Sequence, residues 1–176
     1  MYTLRCTQKL RSRGLTPQAC ADQLPSTVLG DWYATLIHSR PQQLVLCISE
    51  RTLLPVVLAA KDARSLPQRL AEALPVVLAA LDVPVDAIAE EFGAMNVARL
   101  GATRDRSVLG SLTQLSYHLE GYVLQFPERS LVEHSLHLAG TPMKALGRHS
   151  PFPDLATLAA FQAAALLARV RSLPEV

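Results

Sequence analysis

The stretch "WYATLIHSRPQQLVLCISERTLLPVVLA", Trp32 to Ala59, decides the fold because it carries three apolar runs in close succession. The runs are "WYATLIH", "QLVLCIS" and "LLPVVLA", and their separators, "SRPQQ" and "ERT", have the length of hairpin turns. This arrangement predicts an antiparallel meander of three strands. An alternative interpretation makes "DWYATLIHS" a helix with Asp31 as its N-cap.

The heptapeptide "LPVVLAA" occurs twice, at Leu54–Ala60 and at Leu74–Ala80, and its two contexts predict different structures. The first copy follows a turn-like segment and is read as a strand. The second lies in "SLPQRLAEALPVVLAALDV", where apolar residues recur at helical spacing and Ser65 is the predicted N-cap. Pro75 is expected to kink or split that helix. Because the flanking sequences differ completely, the two copies do not indicate a repeat architecture.

Helical patterns surround the meander, together with two further short strands. "YTLRCT" predicts an N-terminal strand followed by a short helix in "QKLRSRG", and "VARLGA" predicts another strand later in the chain. Helices are predicted over "VPVDAIAEEFGAMN", over "VLGSLTQLSYHLEGYVL" and over "SLVEHSLHLAG", where Ser130 and Glu133 have capping-box spacing. An alanine-rich helix is predicted from about Leu155 to Leu173.

Together these elements predict an α+β fold, an antiparallel meander or small mixed sheet packed by several helices. Residues 1–150 are expected to form one α+β domain. Residues 151–176 are expected to form a C-terminal helix packed on that domain or on a partner. Because this helix is apolar on most sides, a homo-oligomer or a protein partner is one expectation and packing on the sheet is the other.

The composition is that of an ordinary globular protein, with 176 residues, 49% hydrophobic and 18% charged. The net charge of +2 is too small to indicate nucleic acid by itself, so that partner is only weakly supported. Cys6, Cys20 and Cys47 show no paired spacing, which favours a reducing cytoplasm over a disulfide framework. The charged start argues against a signal peptide, and no apolar segment has the length of a membrane span.

The segment "GATRDRSVLGSLTQL", Gly101 to Leu115, suggests a binding site for an anion. If a strand ends there and a helix begins, the free N–H groups of the first helical turn attract negative charge. The alternative is that Asp105 or Ser107 merely caps the helix while the arginines are solvated. The predicted anion-binding residues, with two from the N-terminal region, are Arg104, Arg106, Ser107, Arg5 and Lys9.

Other chemistry-bearing residues form weaker patterns. His134 and His137 lie three apart on one predicted helix face, but two ligands do not make a zinc site, and an exposed polar face is the alternative. Ser49, Ser107 and Ser111 lack a nucleophile-elbow motif. No metal or cofactor is predicted. A solvated acidic helix face is predicted from Asp82, Asp86, Glu90 and Glu91. Trp32 and Tyr33 are interpreted as aromatic residues of the core.

Four segments, "LRCTQKL", "LGDWYATL", "QLVLCISERTLLPV" and "RSVLGSL", occur in this order and together resemble an uncharacterised bacterial family described as a domain of unknown function. The resemblance covers about Tyr2 to Leu146 and leaves the C-terminal helix outside. It implies no activity and no catalytic residue. The resemblance implies a more amide-rich turn before "RSVLGS" and an Asn-Asp pair after it, where this chain has Arg104–Asp105 and Thr113–Gln114.

The sequence therefore leaves the function unknown and supports a ranking of hypotheses. The first is a non-enzymatic cytoplasmic module for binding or regulation, with a small arginine-based anion site. The second is an enzyme acting on a phosphorylated or carboxylated small molecule, with a histidine as acid and base. The third is a structural or dimerisation protein that acts through the C-terminal helix.

Overall fold

The computed structural model describes residues 1–17, 24–38, 43–147 and 151–171, and it contains a five-stranded mixed sheet packed with helices. The strands are β1 (Tyr2–Cys6), β2 (Trp32–Ile37), β3 (Leu44–Ser49), β4 (Pro55–Ala59) and β5 (Ala98–Ala102). The helices are α1 (Gln8–Arg11), α2 (Leu66–Ala80), α3 (Val85–Ala94), α4 (Arg106–Gln125), α5 (Leu131–Ala139) and α6 (Pro153–Arg171). The predicted α+β class is confirmed.

The meander predicted from the apolar runs is present, because β2 pairs antiparallel with β3 and β3 pairs antiparallel with β4. The register places Trp32 opposite Ser49 and Leu44 opposite Ala59. The helical alternative for "DWYATLIHS" is wrong. All six residues of β2 are buried, since helices cover both faces of the sheet here, and such a strand shows no polar alternation. Most of the β2–β3 separator lies outside the described residues.

The sheet is mixed because β1 lies between β2 and β5 and runs parallel to both. The strand order is β4–β3–β2–β1–β5, and Leu4 is level with Trp32 on one side and Leu100 on the other. Parallel strands need long crossover connections, and α2 and α3 lie on the one that leads to β5. The carboxyl ends of β1, β2 and β5 consequently meet at one edge of the sheet.

The two faces of the sheet carry separate cores. Trp32 and Ala34 point to the side covered by α2 and α3, whereas Tyr33 and Ile37 point to the side covered by α4. Burial of Trp32 confirms the expected core aromatic. Cys6 and Cys47 are free thiols buried in the same core. They are separated by β2, about 10 Å across two strand spacings, which is too far for a disulfide.

Local signals placed most helix ends correctly. α5 begins with the predicted capping box, in which the side chains of Ser130 and Glu133 each accept a backbone N–H. At α2, Ser65 is at the cap position but makes no cap bond with its side chain. The side chain of Asp62 instead accepts from Arg64 in a preceding 3-10 turn. α2 also runs through Pro75 without splitting.

The predicted solvated acidic face is wrong for one of its members. Glu91 is 2% exposed, and its two carboxylate oxygens accept the backbone N–H groups of Val28 (2.6 Å) and Leu29 (3.1 Å). Because burial dominates, the pKa of the Glu91 carboxyl is raised. Glu90, its neighbour, is exposed as expected. Glu91 therefore fastens the segment before β2 to α3.

Candidate functional site

A cleft opens at the carboxyl ends of β1 and β2, between α1 and α4, and we call it the α1–α4 cleft. It is a cavity of about 460 Å³. Three elements supply its polar lining: the β1–α1 junction, the second half of β2, and one face of α4. The polar lining residues are Thr7, Gln8, Lys9, Thr35, Thr113, Ser116, Tyr117 and Glu120.

A pair of threonine hydroxyls lies between the two strands. The Oγ1 atoms of Thr7 and Thr35 are 3.0 Å apart, and Thr35 is buried. Thr7 occupies the N-cap position of α1, where a threonine hydroxyl ordinarily accepts a helix N–H, yet it makes no cap bond. Its hydroxyl is directed to Thr35 instead. Two hydroxyls that share one hydrogen bond leave one O–H and several lone pairs for a ligand.

The α4 wall presents hydrogen-bond acceptors. The Thr113 hydroxyl donates to the carbonyl of Leu109 (2.9 Å), and the Ser116 hydroxyl donates to the carbonyl of Leu112 (2.7 Å). Since each hydroxyl has only one hydrogen, both oxygens face the cleft as acceptors. The cleft therefore offers a hydroxyl donor from its strand side and acceptors from its helix side.

Charged and aromatic side chains border the same cleft. Lys9 is exposed on the α1 side, and Glu120 is half-exposed on the α4 side. The ring of Tyr117 is 73% exposed. Arg106 lies three residues before Leu109 on α4, so it projects from the same helix face one turn nearer the helix start. A cation and a carboxylate thus stand on opposite sides of the cleft.

A buried ion pair holds the strands beside the cleft. The Nη2 and Nε atoms of Arg5 lie 2.8 and 3.2 Å from Oδ2 of Asp31, and both residues are buried. Oδ1 of Asp31 accepts the backbone N–H of Thr3 at 2.8 Å. Nη1 of Arg5 reaches the carbonyl of Ala102 at 3.4 Å. The guanidinium therefore links β1 to the start of β2 and the end of β5.

Tyr33, which is level with Arg5 in the β1–β2 register, links β2 to the start of α4. Its hydroxyl accepts the backbone N–H of Asp105 at 3.3 Å and lies 3.5 Å from Oε1 of Glu50. Burial is the main cause that raises the pKa of the Tyr33 phenol, so it stays a neutral donor at ordinary pH. The contact with Asp105 fixes where α4 begins and hence where its cleft-lining face lies.

The structure divides the predicted anion-binding residues among different environments. Asp105 caps α4, because one oxygen accepts the N–H groups of Ser107 (2.7 Å) and Val108 (3.1 Å). That carboxylate occupies the helix end at which an external anion was expected. Arg104, Arg106 and Ser107 are exposed around this turn. Arg5 is buried in its ion pair, and Lys9 borders the cleft.

Within the described residues, the candidate serine nucleophiles have no histidine partner and the candidate metal-binding histidines have no further ligands beside them. Ser49 bonds with Thr52, Ser111 donates to the carbonyl of Ser107, and no described histidine hydrogen-bonds a serine. None of the described histidines lines the α1–α4 cleft. Within residues 1–17, 24–38, 43–147 and 151–171, no group of three His, Cys, Asp or Glu side chains is arranged to hold a metal ion. His149 lies outside the described residues.

The histidines of α5 pack against an aromatic ring. The ring of His137 stacks on Tyr122 with centroids 3.5 Å apart, and His134 meets the same ring edge-on at 5.4 Å. The alternative of an exposed polar face is wrong for His134, which is 3% exposed with no hydrogen-bond partner for Nδ1 in the described structure. Burial lowers the pKa of both imidazoles, which favours their neutral forms.

Most residues that line the α1–α4 cleft were not predicted from the sequence. Thr35 was the available signal, because it is a polar residue in the middle of an otherwise apolar strand. On α4, Thr113, Ser116, Tyr117 and Glu120 recur at spacings of three, one and three residues and form a polar stripe. It lies beside the apolar stripe of this helix, which consists of Val108, Leu112, Leu115 and Leu119. Neither signal identifies a site until the parallel pairing of β1 and β2 brings Thr7 to Thr35.

Fold and cleft together define a mixed α+β domain with a polar cavity at the carboxyl edge of its parallel strands. Residues 3–154 match the family described as "Domain of unknown function (DUF6933)", and the chain belongs to this family. The resemblance to a domain of unknown function is therefore confirmed, and the match reaches the first residues of α6. No curated protein matches the chain. Among the described residues, no helix is long and apolar enough to cross a membrane.

Proposed function

We propose that this protein is a non-enzymatic binding module, of a regulatory kind, that takes a small anionic ligand in the α1–α4 cleft. The observation that carries the proposal is the Thr7–Thr35 hydroxyl pair, 3.0 Å apart and lining a cavity of about 460 Å³. A cavity of this volume falls in the range that small ligands occupy. Because the Thr7 hydroxyl makes no cap bond and lines this cavity, it can orient a ligand there.

The charges around the cleft suggest how the ligand is oriented. Lys9 on the α1 side and Arg106 at the start of α4 are exposed cations that would attract a phosphate or carboxylate group of the ligand. Glu120 and the acceptor oxygens of Thr113 and Ser116 would receive hydrogen-bond donors of the ligand. Arg104 and Ser107 extend the positive, polar region around the start of α4, and Arg5 contributes by holding β1 and β2 in place.

An enzymatic activity and a nucleic-acid partner receive less support. An enzyme acting on the same anionic molecule with a histidine acid and base needs that histidine near the ligand, and no described histidine lines the cleft. A nucleic-acid partner needs several clustered cations, and the chain has a net charge of only +2. A cytoplasmic location, favoured by the free buried thiols of Cys6 and Cys47, and a bacterial source remain predictions.

The cleft is tested by NMR titration of the isotopically labelled protein with defined probes: inorganic phosphate, glycerol phosphate and small dicarboxylates. We expect saturable shift changes at Thr7, Thr35 and Thr113 with at least one probe. The variant Lys9→Gln/Arg106→Gln should weaken that binding by about tenfold, roughly 1.4 kcal/mol. The variant Thr35→Val, which removes one hydroxyl of the pair, should weaken it by a similar factor.

A charge-matched control separates a site from general attraction. Lys61→Gln/Lys144→Gln removes the same net charge from exposed positions outside the cleft lining. This control should bind the probes as the natural chain does. Equal weakening in both double variants, or shift changes that avoid the cleft for every probe, would remove the proposal.

A further inference from the structure

The last helix, α6, is apolar on two opposite faces. Thr157 and Phe161 are buried against the domain. On the other face Leu155, Leu166 and Val170 are 51%, 61% and 65% exposed. At about 100° per residue, these three side chains fall within roughly 60° of one another, and they point away from Thr157 and Phe161. The outer stripe therefore faces away from the body of the protein.

The inner face of α6 fixes this orientation. The hydroxyl of Thr157 lies 3.0 Å from that of Thr52, in the turn between β3 and β4. Thr52 in turn bonds with Ser49 at 2.8 Å, and the side chain of Phe161 is buried in the core under α2 and α3. A helix held by a buried hydroxyl chain and an aromatic side chain cannot rotate to bury its outer stripe within its own domain.

The outer stripe is complementary to itself when two copies run antiparallel. Turning the helix about a two-fold axis between Gln162 and Ala163 places Leu155 opposite Val170 and Ala159 opposite Leu166. The large side chains of Leu155 and Val170 thus meet at the ends, and nearer the middle Leu166 of one helix packs on the small Ala159 of the other, which lets the two helices approach closely. An isologous contact requires this kind of internal symmetry.

The charges at the two ends of α6 also favour the antiparallel arrangement. The stretch 155–168 carries no charged side chain, whereas Asp154 stands in the first turn of α6 and Arg171 in the last. Antiparallel pairing brings the acidic, dipole-positive end of one helix to the basic, dipole-negative end of the other. Parallel pairing would place like charges and like dipole ends together. The contact face itself carries no charge, and the opposite charges of Asp154 and Arg171 stand at the two helix ends, which favours pairing with a second copy that runs in the opposite direction.

We propose that two copies of this chain associate through an antiparallel pair of α6 helices with the outer stripe at its centre. A single helix pair buries less than the roughly 1,200 Å² of a standard interface, so the dimer is expected to be weak and concentration-dependent. The α6 residues involved lie beyond the residues that match the family, which end at 154. The proposal is independent of the ligand proposed for the cleft.

Sedimentation equilibrium of the full chain from about 10 to about 500 µM tests the association, with weak dimers expected in the micromolar range. The natural chain should shift from monomer towards dimer. Leu166→Glu should remain monomeric across this range with an unchanged circular dichroism spectrum, since the side chain is exposed. Val76→Glu, at an exposed position on α2, is the matched control and should dimerise normally. A monomer at every concentration, or a Leu166→Glu dimer of natural strength, would overturn the proposal.

Engineered cysteines test the direction of pairing, in a Cys20→Ser background with Cys6 and Cys47 buried. Ala163→Cys lies near the two-fold axis and should cross-link rapidly between copies under mild oxidation. Leu155→Cys should not, because antiparallel pairing separates the two 155 positions by about 22 Å along the helix. Rapid cross-linking of Leu155→Cys with none from Ala163→Cys would indicate a parallel contact and contradict the arrangement proposed here.

Discussion

Arg5 and Asp31 form a buried ion pair in which one carboxylate oxygen receives both Nε and Nη2 of the guanidinium, at 3.2 and 2.8 Å. The other oxygen of Asp31 accepts the backbone N–H of Thr3. Removing one partner leaves the other charge buried without compensation, which typically costs about 3–5 kcal/mol. Asp31→Ala should therefore lower the free energy of unfolding, measured in urea, by about this amount.

The matched control for this pair is the double variant Arg5→Met/Asp31→Leu, which removes both charges. Replacing a buried ion pair by apolar side chains is often close to neutral. We expect it to be more stable than Asp31→Ala alone, despite the unpaired Thr3 N–H. A double variant as unstable as the single one would indicate that packing, not charge, sets the cost.

Gly101 is expected to tolerate no side chain. A Cβ there would lie 2.9 Å from Cγ2 of Thr3 and 3.3 Å from Nη1 of Arg5. Gly101→Ala should therefore reduce the free energy of unfolding by about 1–3 kcal/mol, the usual cost of overpacking. Gly121, inside α4, has open space at its Cβ position, and Gly121→Ala should stabilise by about 0.5–1 kcal/mol. Equal effects at the two positions would contradict the close packing of β5 on β1.

Glu91 should matter far more to stability than Glu90. Glu91→Ala leaves the N–H groups of Val28 and Leu29 without their acceptor, and the buried Leu29 N–H alone should cost about 1–3 kcal/mol. Glu90→Ala removes an exposed carboxylate next to it in sequence and should change the free energy of unfolding by less than about 0.5 kcal/mol. Urea unfolding of the two variants at neutral pH compares them directly. Similar losses would mean that Glu91 does not hold the segment before β2.

The two histidines of α5, of which His134 is buried, should make stability fall on mild acidification. Because the pKa values of His134 and His137 are lowered below 6.5, the unfolded chain binds more protons as pH drops through 6.5, and stability decreases there. His134 also faces Glu128, Glu133 and Arg129, but burial dominates its shift. We expect urea unfolding between about pH 7.5 and pH 5.5 to show this loss, and His134→Leu to reduce it.

The comparison between His134→Leu and the natural chain isolates the histidine. Glu91, with its raised pKa, favours folding at lower pH and so acts in the opposite direction in both proteins. Glu133, whose pKa is about 2, loses its contribution only as pH falls below its ordinary value of 4.5. An identical pH slope in the two proteins would show that His134 is not the titrating group.

The candidate site was only partly predictable from the sequence. The charge of Lys9 and Arg106 marks both in the sequence, and Lys9 borders the α1–α4 cleft while Arg106 begins α4, one turn before Leu109 of the cleft lining. Nothing in the sequence marks Thr7 and Thr35 as partners. Their hydroxyls meet because β1 pairs in parallel with β2, and a parallel neighbour leaves no local signal in the chain. Arg5 was selected as an anion ligand, but the fold places Asp31 within its reach.

The heptapeptide "LPVVLAA" shows how much of the local structure the neighbouring sequence determines. Its first copy supplies β4 and its second lies in α2, and the neighbouring residues alone predicted both outcomes. The sequence likewise determined the meander, the capping box of α5 and the apolar stripe of α4, since these depend on residues close in the chain. Only the tertiary structure decided that β1 lies between β2 and β5, that Glu91 is buried, and that a cleft forms beside Thr35. Each of these depends on segments far apart in sequence, whose pairing is settled by burying the whole core at once.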